Sequence, residues 1–167
     1  VVIAGSDPAS RIYVCNKKKA AEELGVYSEI VELPENVKEK EILETIDELN
    51  KNGKIHAILV QLPLPEHIDE KKIILAISPE KDVDCFHPEN LGKVMAGKAG
   101  LYPCTPAGII ELLKKSNVEI FGKNAVVVGR SNIVGKPTAM MLLENNATVT
   151  ICHSKTKDLA AVCREAE

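Results

Sequence analysis

No apolar run in this chain approaches the roughly 18 residues that would suggest a membrane-spanning helix. Runs such as Ile73-Ile74-Leu75-Ala76-Ile77 and Ala125-Val126-Val127-Val128 fall far short of it, so a membrane is not expected as a partner. Charge of one sign is also missing: 21 Lys and Arg stand against 24 Asp and Glu, a net charge of -3. That balance leaves neither a nucleic-acid footprint nor a polybasic patch. There is no C-x-x-C pair. The five cysteines, at 15, 85, 104, 152 and 163, are odd in number and widely spaced, so they read as reduced thiols of a cytoplasmic protein, with no disulfide framework and no metal site. The chain shows no initiating Met and no basic segment leading into an apolar one, so a secretory signal is not expected. It opens inside the apolar run Val1-Val2-Ile3-Ala4-Gly5 and closes on a helix just begun at 158–167, so a piece of a longer polypeptide is expected.

What is present suffices for a core: 167 residues, 45% of them hydrophobic, which is one domain or two small ones. Short β-branched runs alternate with stretches of helical period, the pattern of βαβ units on a parallel sheet. Strands are expected at 1–4, 27–33, 56–62, 124–128 and 148–152, and helices at 9–24, 38–52, 70–77, 106–115 and 134–144. Gly25 and Gly53 should stop the first two helices. Pro63 and Pro65 end the third strand. The stretch 78–105, punctuated by Pro79, Pro88, Gly92, Gly97, Gly100 and Pro103, reads as loop containing a domain boundary.

Ligands of open parallel sheets bind beyond the carboxyl ends of the strands. Ser10, Tyr13 and Lys17 follow the first strand at spacings of three and four, which places a hydroxyl, a phenol and an ammonium on one helix face. The plain alternative is a solvated face, with Lys18–Glu22 and Lys19–Glu23 pairing at i,i+4. Gln61 ends the third strand at the same rim, where its amide needs partners, functional or merely local. Lys81-Asp82-Val83-Asp84 supplies two carboxylates, a pattern that on its own is usually a solvated turn.

Gly129-Arg130-Ser131-Asn132-Ile133-Val134-Gly135 follows a strand and opens a helix, so its N–H groups and the positive helix end would face a pyrophosphate. It departs from G-x-G-x-x-G, with Ser131 in the second glycine place and the last glycine one residue late. Some 20 residues on, where an NAD site carries an acid for the ribose hydroxyls, the chain has Cys152-His153-Ser154-Lys155. A 2′-phosphate would be repelled by an acid and received by Arg130, His153, Ser154 and Lys155, which points to NADP.

Taken in order, Gly5-Ser6-Asp7-Pro8-Ala9-Ser10, Tyr13-Val14-x-x-Lys17, Val60-Gln61-Leu62-Pro63-Leu64-Pro65, Lys81-Asp82-Val83-Asp84, Pro103-Cys104-Thr105-Pro106-x-Gly108 and Gly129-Arg130-Ser131-x-Ile133-Val134-Gly135-x-Pro137 closely resemble the bifunctional methylenetetrahydrofolate dehydrogenase/methenyltetrahydrofolate cyclohydrolase family. The resemblance implies an α/β fold: an N-terminal parallel-sheet α/β substrate domain over 1–104, followed by a partial Rossmann NADP-binding domain over 105–167. It implies oxidation of 5,10-methylenetetrahydrofolate by NADP and hydrolysis of the methenyl product. Lys17 matches the catalytic lysine, Gln61 the glutamine that orients it, and Tyr13 the tyrosine that stacks on the folate. Ser10 and Asp84 match substrate-binding positions, Asp84 receiving the pterin's N–H donors. Thr105, Gly129, Arg130, Ser131, Gly135, His153 and Ser154 would hold the cofactor. Tetrahydrofolate derivatives are the partners implied, and a homodimer the assembly.

Two departures stand out. The family's proteins are longer at both ends, and Cys85 replaces the glycine that follows the aspartate. If that glycine has φ > 0, cysteine there costs roughly 1–2 kcal/mol and could re-aim Asp84. Two rival readings differ in kind. Tyr13-x-x-x-Lys17 is also the catalytic pair of short-chain dehydrogenases, but their glycine turn precedes that pair, whereas here it follows. A non-catalytic dinucleotide- or folate-binding module is the other.

Overall fold

β1 (Val2–Ala4) lies at the centre of the first sheet. It pairs in parallel with β2 (Val31–Leu33), from Val2↔Val31 to Ala4↔Leu33. On its other edge Val2 donates its N–H to Leu59 O at 2.7 Å and accepts from Gln61 N–H at 2.9 Å. Residues 56–62 do not continue as the regular strand expected. The next rung would need an N–H from residue 63 to reach Ala4, and Pro63 has none; beyond lies a single bridge, Ile58 to Asp82. β2 is shorter than the expected 27–33; ahead of it Glu29 O accepts from the Val1 ammonium at 2.8 Å. The computed structural model describes residues 1–167 and divides them into two compact units, Val1–Val83 and Asp84–Glu167.

In the first unit α1 (Pro8–Glu23) follows β1, and Gly25, at φ +70°, ends it as expected. α2 (Glu39–Lys51) buries Ile42 and Ile46 one turn apart, and α3 (Glu70–Ala76) buries Ile73. These join Val2, Ala4, Val37, Ile58, Val60, Leu64, Ile68 and Ile77 in one core. Each buried Val, Ile or Leu among them contributes about 1.5–3 kcal/mol by leaving water.

Gly53 does not take the left-handed backbone of a C′ glycine; α2 ends where Asn52 turns extended, at φ -76° and ψ 109°. Lys81 reaches across and donates its ammonium to Leu49 O (2.9 Å), Asn50 O (2.7 Å) and Asn52 O (2.9 Å), satisfying carbonyls that have no helical partner at the negative end of the macrodipole. Lys81→Met should therefore cost about 1–3 kcal/mol, read as a lower urea midpoint at unchanged m-value.

In the second unit β3 (Asn124–Val128) and β4 (Thr148–Cys152) pair in parallel along their whole length, Asn124↔Thr148 through Val128↔Cys152. α5 (Cys104–Lys115) and α6 (Gly135–Glu144) pack through Ile110, Met141 and Leu142 against Ala125, Val127 and Val149. α7 (Leu159–Cys163) is short.

The stretch read as loop contains a helix, α4 (Pro88–Met95). Pro88 sits in the first turn, where its missing N–H costs nothing, His87 Nδ1 caps Glu89 N–H at 3.2 Å, and Lys93 pairs with Glu89 at 2.8 Å. α4 packs on α6. Tyr102 donates to the Glu144 carboxylate at 3.1–3.2 Å; burial, and then that carboxylate, push its phenol above the ordinary value. Residues 84–104, given to the first domain above, are thus compact with the second unit. No helix is long and apolar enough to cross a membrane.

Candidate active site and cofactor turn

The chain leaves β1 at Gly5, φ +92°, where a Cβ would strike the Glu35 carboxylate. That carboxylate also accepts from Ser6 N–H at 3.2 Å. Asp7 then caps α1: its Oδ2 accepts from Ser10 N–H at 2.7 Å, with Pro8 in the first turn. The backbone bond from Ser10, and then its side-chain bond, hold the Asp7 carboxyl below its ordinary value.

Ser10, Tyr13 and Lys17 fall within about 60° of one another around α1 but differ in exposure. Ser10 shares the buried stripe with Val14, its hydroxyl engaged with the cap, whereas Tyr13 and Lys17, one turn apart, are exposed, Tyr13 at 57% exposure. The surface pair Lys18–Glu22 is present at 4.0 Å.

Lys17 does not stay in solvent alone. Its Nζ donates to Gln61 Oε1 at 3.1 Å. Gln61 Nε2 in turn donates to Leu62 O at 2.7 Å, which sets the amide's orientation and leaves its oxygen for the ammonium. Backbone pairing of Gln61 to β1 and the cap on α1 therefore bring two side chains 44 positions apart into contact. Of the acidic turn, Lys81 binds the last carbonyls of α2 and Asp82 is buried beside its bridge to Ile58. Asp84 is half-buried, and Cys85 is fully buried at φ +58°. The left-handed backbone suspected there is real.

In the second unit the glycine turn closes on itself. Gly129 N–H donates to Cys152 O at 2.8 Å. A Cβ on Gly135 would overlap Gly129 O and come within 2.8 Å of Arg130 N, so only glycine fits. Ser131 Oγ accepts from both Val134 N–H and Gly135 N–H at 3.1 Å, and Ser131 O accepts from Lys136 N–H at 3.0 Å. The helix end expected to face a pyrophosphate thus has its own donors already taken. The register Val128↔Cys152 brings the Arg130 turn and the turn after β4 out at the same end of the sheet. There Lys155 N–H donates to His153 Nδ1 at 3.1 Å, and His153 N–H to Thr156 Oγ1 at 2.8 Å. Arg130, Ser154 and Lys155 are exposed, as is Thr105 in the first turn of α5.

Sequence reading missed Glu35, Lys81 as a helix cap, and Thr156. Only Thr156 had a local signal, a hydroxyl three residues past a strand end.

Residues 1–84 match the model of the tetrahydrofolate dehydrogenase/cyclohydrolase catalytic domain, and residues 103–167 that of the same family's NAD(P)-binding domain. The chain belongs to the tetrahydrofolate dehydrogenase/cyclohydrolase family. It is 61% identical over all 167 residues to the bifunctional protein FolD of Moorella thermoacetica, covering 60% of that protein. The bifunctional FolD dehydrogenase/cyclohydrolase of Campylobacter jejuni superposes with a TM-score of 0.92 at 49% identity, over 99% of this chain and 59% of that one. The Trypanosoma brucei FolD, solved with NADP and an inhibitor, gives 0.93 at 41% identity, over 99% and 57%. This chain therefore spans about three fifths of the length of the curated family proteins it matches.

Proposed function

We propose that the protein acts in one-carbon folate metabolism: it oxidises 5,10-methylenetetrahydrofolate with NADP, then hydrolyses the 5,10-methenyl product to 10-formyltetrahydrofolate. The observation that carries this reading is the Lys17 Nζ to Gln61 Oε1 hydrogen bond of 3.1 Å. It holds a proton-transferring group at the strand ends of the matched catalytic domain, the place ligands occupy in open α/β sheets.

The turn fits a dinucleotide, because the glycine-only approach of Gly135 to Gly129 keeps the backbone bare where a pyrophosphate must come close. Bound NADP would accept the hydride. Arg130, Ser154 and Lys155 would meet its 2′-phosphate, with His153 donating from Nε2 because its Nδ1 accepts from Lys155 N–H. Thr105, Gly129, Ser131 and Gly135 complete the cofactor side.

On the folate side Tyr13 stacks on the rings and Asp84 accepts the pterin N–H groups, with the functional boundary placed between Cys104 and Thr105. Ser10 serves this site through the cap of α1. In hydrolysis, water forms a bond to the methenyl carbon and gives a proton to neutral Lys17. The added hydroxyl then loses its proton to solvent as its oxygen forms the formyl C=O, and the bond from that carbon to N5 breaks as Lys17 returns its proton to the nitrogen. A cationic substrate favours the neutral lysine, and Gln61 holds its nitrogen in place. The assembly proposed is a cytoplasmic homodimer with no nucleic-acid or membrane partner.

The test is turnover by the complete polypeptide. With 5,10-methylenetetrahydrofolate and NADP, NADPH and 10-formyltetrahydrofolate should appear together; reduction of NADP without the formyl product would remove the hydrolytic half. A further expected result concerns the cofactor. Arg130→Ala should weaken NADP binding by about 1.5–3 kcal/mol, the size of a hydrogen bond to a charged group, less where solvent screens it. NAD binding, measured beside it by calorimetry, should barely move. Tighter binding of NAD than NADP by the unmutated protein would refute the cofactor assignment.

A further inference from the structure

The start of α6 is unusual in how its donors are satisfied. The first turn has three N–H groups without helical acceptors, those of Val134, Gly135 and Lys136, because Pro137 has none. One residue takes all three: Ser131 accepts two on its hydroxyl oxygen at 3.1 Å and the third on its carbonyl at 3.0 Å. Both lone pairs of the hydroxyl are thereby used. Lys136 closes the same loop from outside, its Nζ donating to Asn132 Oδ1 at 2.7 Å. Gly135 meanwhile lies so close to Gly129 and Arg130 that the turn cannot relax inward. An anion arriving at this turn finds the helix's own donors occupied; the N–H groups of Arg130, Ser131, Asn132 and Ile133, by contrast, have no acceptor in the protein.

We infer that Ser131 is a positioning residue for the cofactor: its hydroxyl ties the turn to α6 before any ligand arrives, and so presents residues 130–133 as the pyrophosphate's donors in place of the helix end. The inference rests on the dinucleotide reading above and deepens it. It also gives a physical reason for a serine where the usual motif has its second glycine. A glycine would keep the carbonyl that takes the Lys136 N–H but would leave the Val134 and Gly135 N–H groups without the hydroxyl acceptor, so that these two would have to turn to the ligand.

The experiment uses the complete protein, with NADP as the probe. Two quantities are read on each variant: the NADP dissociation constant by calorimetry, and hydrogen exchange of the Val134, Gly135 and Lys136 amides without cofactor. Ser131→Ala removes a cap worth about 0.5–2 kcal/mol. It should speed exchange of the Val134 and Gly135 amides roughly 2- to 30-fold and raise the dissociation constant about tenfold. Ser131→Thr, which keeps the hydroxyl, should restore both. If Ser131→Ala fails to fold, Ser131→Cys keeps the shape with a weaker acceptor and gives the same two readings. Weaker NADP binding with exchange unchanged would overturn the inference, because the hydroxyl would then act on the ligand directly. Faster exchange with NADP binding unchanged would also overturn it, leaving a cap without a role in binding. Failure of the unmutated protein to bind NADP would remove the dinucleotide reading itself and the positioning role with it, while the exchange data would still report the cap.

Discussion

On the function proposed, Lys17→Met in the complete protein should lower cyclohydrolase turnover by about 10²–10⁴-fold, the usual worth of a positioned general acid or base, and slow the dehydrogenase far less. The two reactions ask different things of the same lysine side chain. Hydrolysis needs a group that takes a proton from the attacking water and returns one to the departing nitrogen, and methionine can do neither. Hydride transfer needs only alignment of the one-carbon bridge with the nicotinamide, so it loses the orienting contact, about 1–2 kcal/mol. The geometry adds a second arm. Because Gln61 reaches Lys17 with its amide oxygen while its nitrogen is held by Leu62 O, Gln61→Leu should impair the cyclohydrolase in the same direction by a smaller factor. Both rates are measured on each variant at saturating folate and NADP. Equal losses in the two activities would reduce Lys17 to a substrate-positioning group, and an unimpaired cyclohydrolase would take it out of the chemistry.

How far such a site can be read from sequence depends on where its partners lie. β3 and β4 were legible to the residue, because each is a β-branched run bounded by turn residues and pairs along its full length. Residues 56–62 carry the same kind of run, yet only alternate residues pair. The absent rung traces to Pro63, whose missing N–H was visible in the sequence but read only as the end of a strand. α4 was hidden by the opposite error: Pro88 and Gly92 were taken as breakers, although proline in a first turn starts a helix. Lys17 and Gln61 were both placed at the strand-end rim by topology, but no periodicity links positions 44 apart; their pairing came from resemblance and the 3.1 Å contact is what supports it. Lys81 was read as part of an acidic loop, because a side chain that caps a distant helix leaves no local pattern. The serine of the glycine turn was read as a weakness of the motif, whereas its hydroxyl is what satisfies the helix behind it.

Gly135→Ala should be the most damaging single-methyl change in the second unit. A Cβ there meets Gly129 O, Gly129 C and Arg130 N, all backbone atoms of the turn itself, so no side chain can rotate away to make room. The protein must either hold the turn and bear overpacking of about 1–3 kcal/mol or more, or push the 129–131 backbone outward. The second route displaces the groups that would grip the cofactor, and a shift of about 1 Å can cost around 10²-fold in a positioned site. NADP affinity should therefore fall by about two orders of magnitude, together with a lower melting temperature of the cofactor-free protein. Two other glycines separate crowding from backbone conformation. Gly129 has open space around its Cβ position but φ +147°, so Gly129→Ala should show only the backbone strain. Gly92 lies within α4 with nothing near it, so Gly92→Ala should stabilise the helix by about 0.5–1 kcal/mol and leave NADP affinity untouched. Calorimetric titration with NADP and thermal melts on the three variants give the comparison. Unchanged NADP affinity in Gly135→Ala would mean that the close approach of Gly135 to Gly129 is not what shapes the cofactor turn.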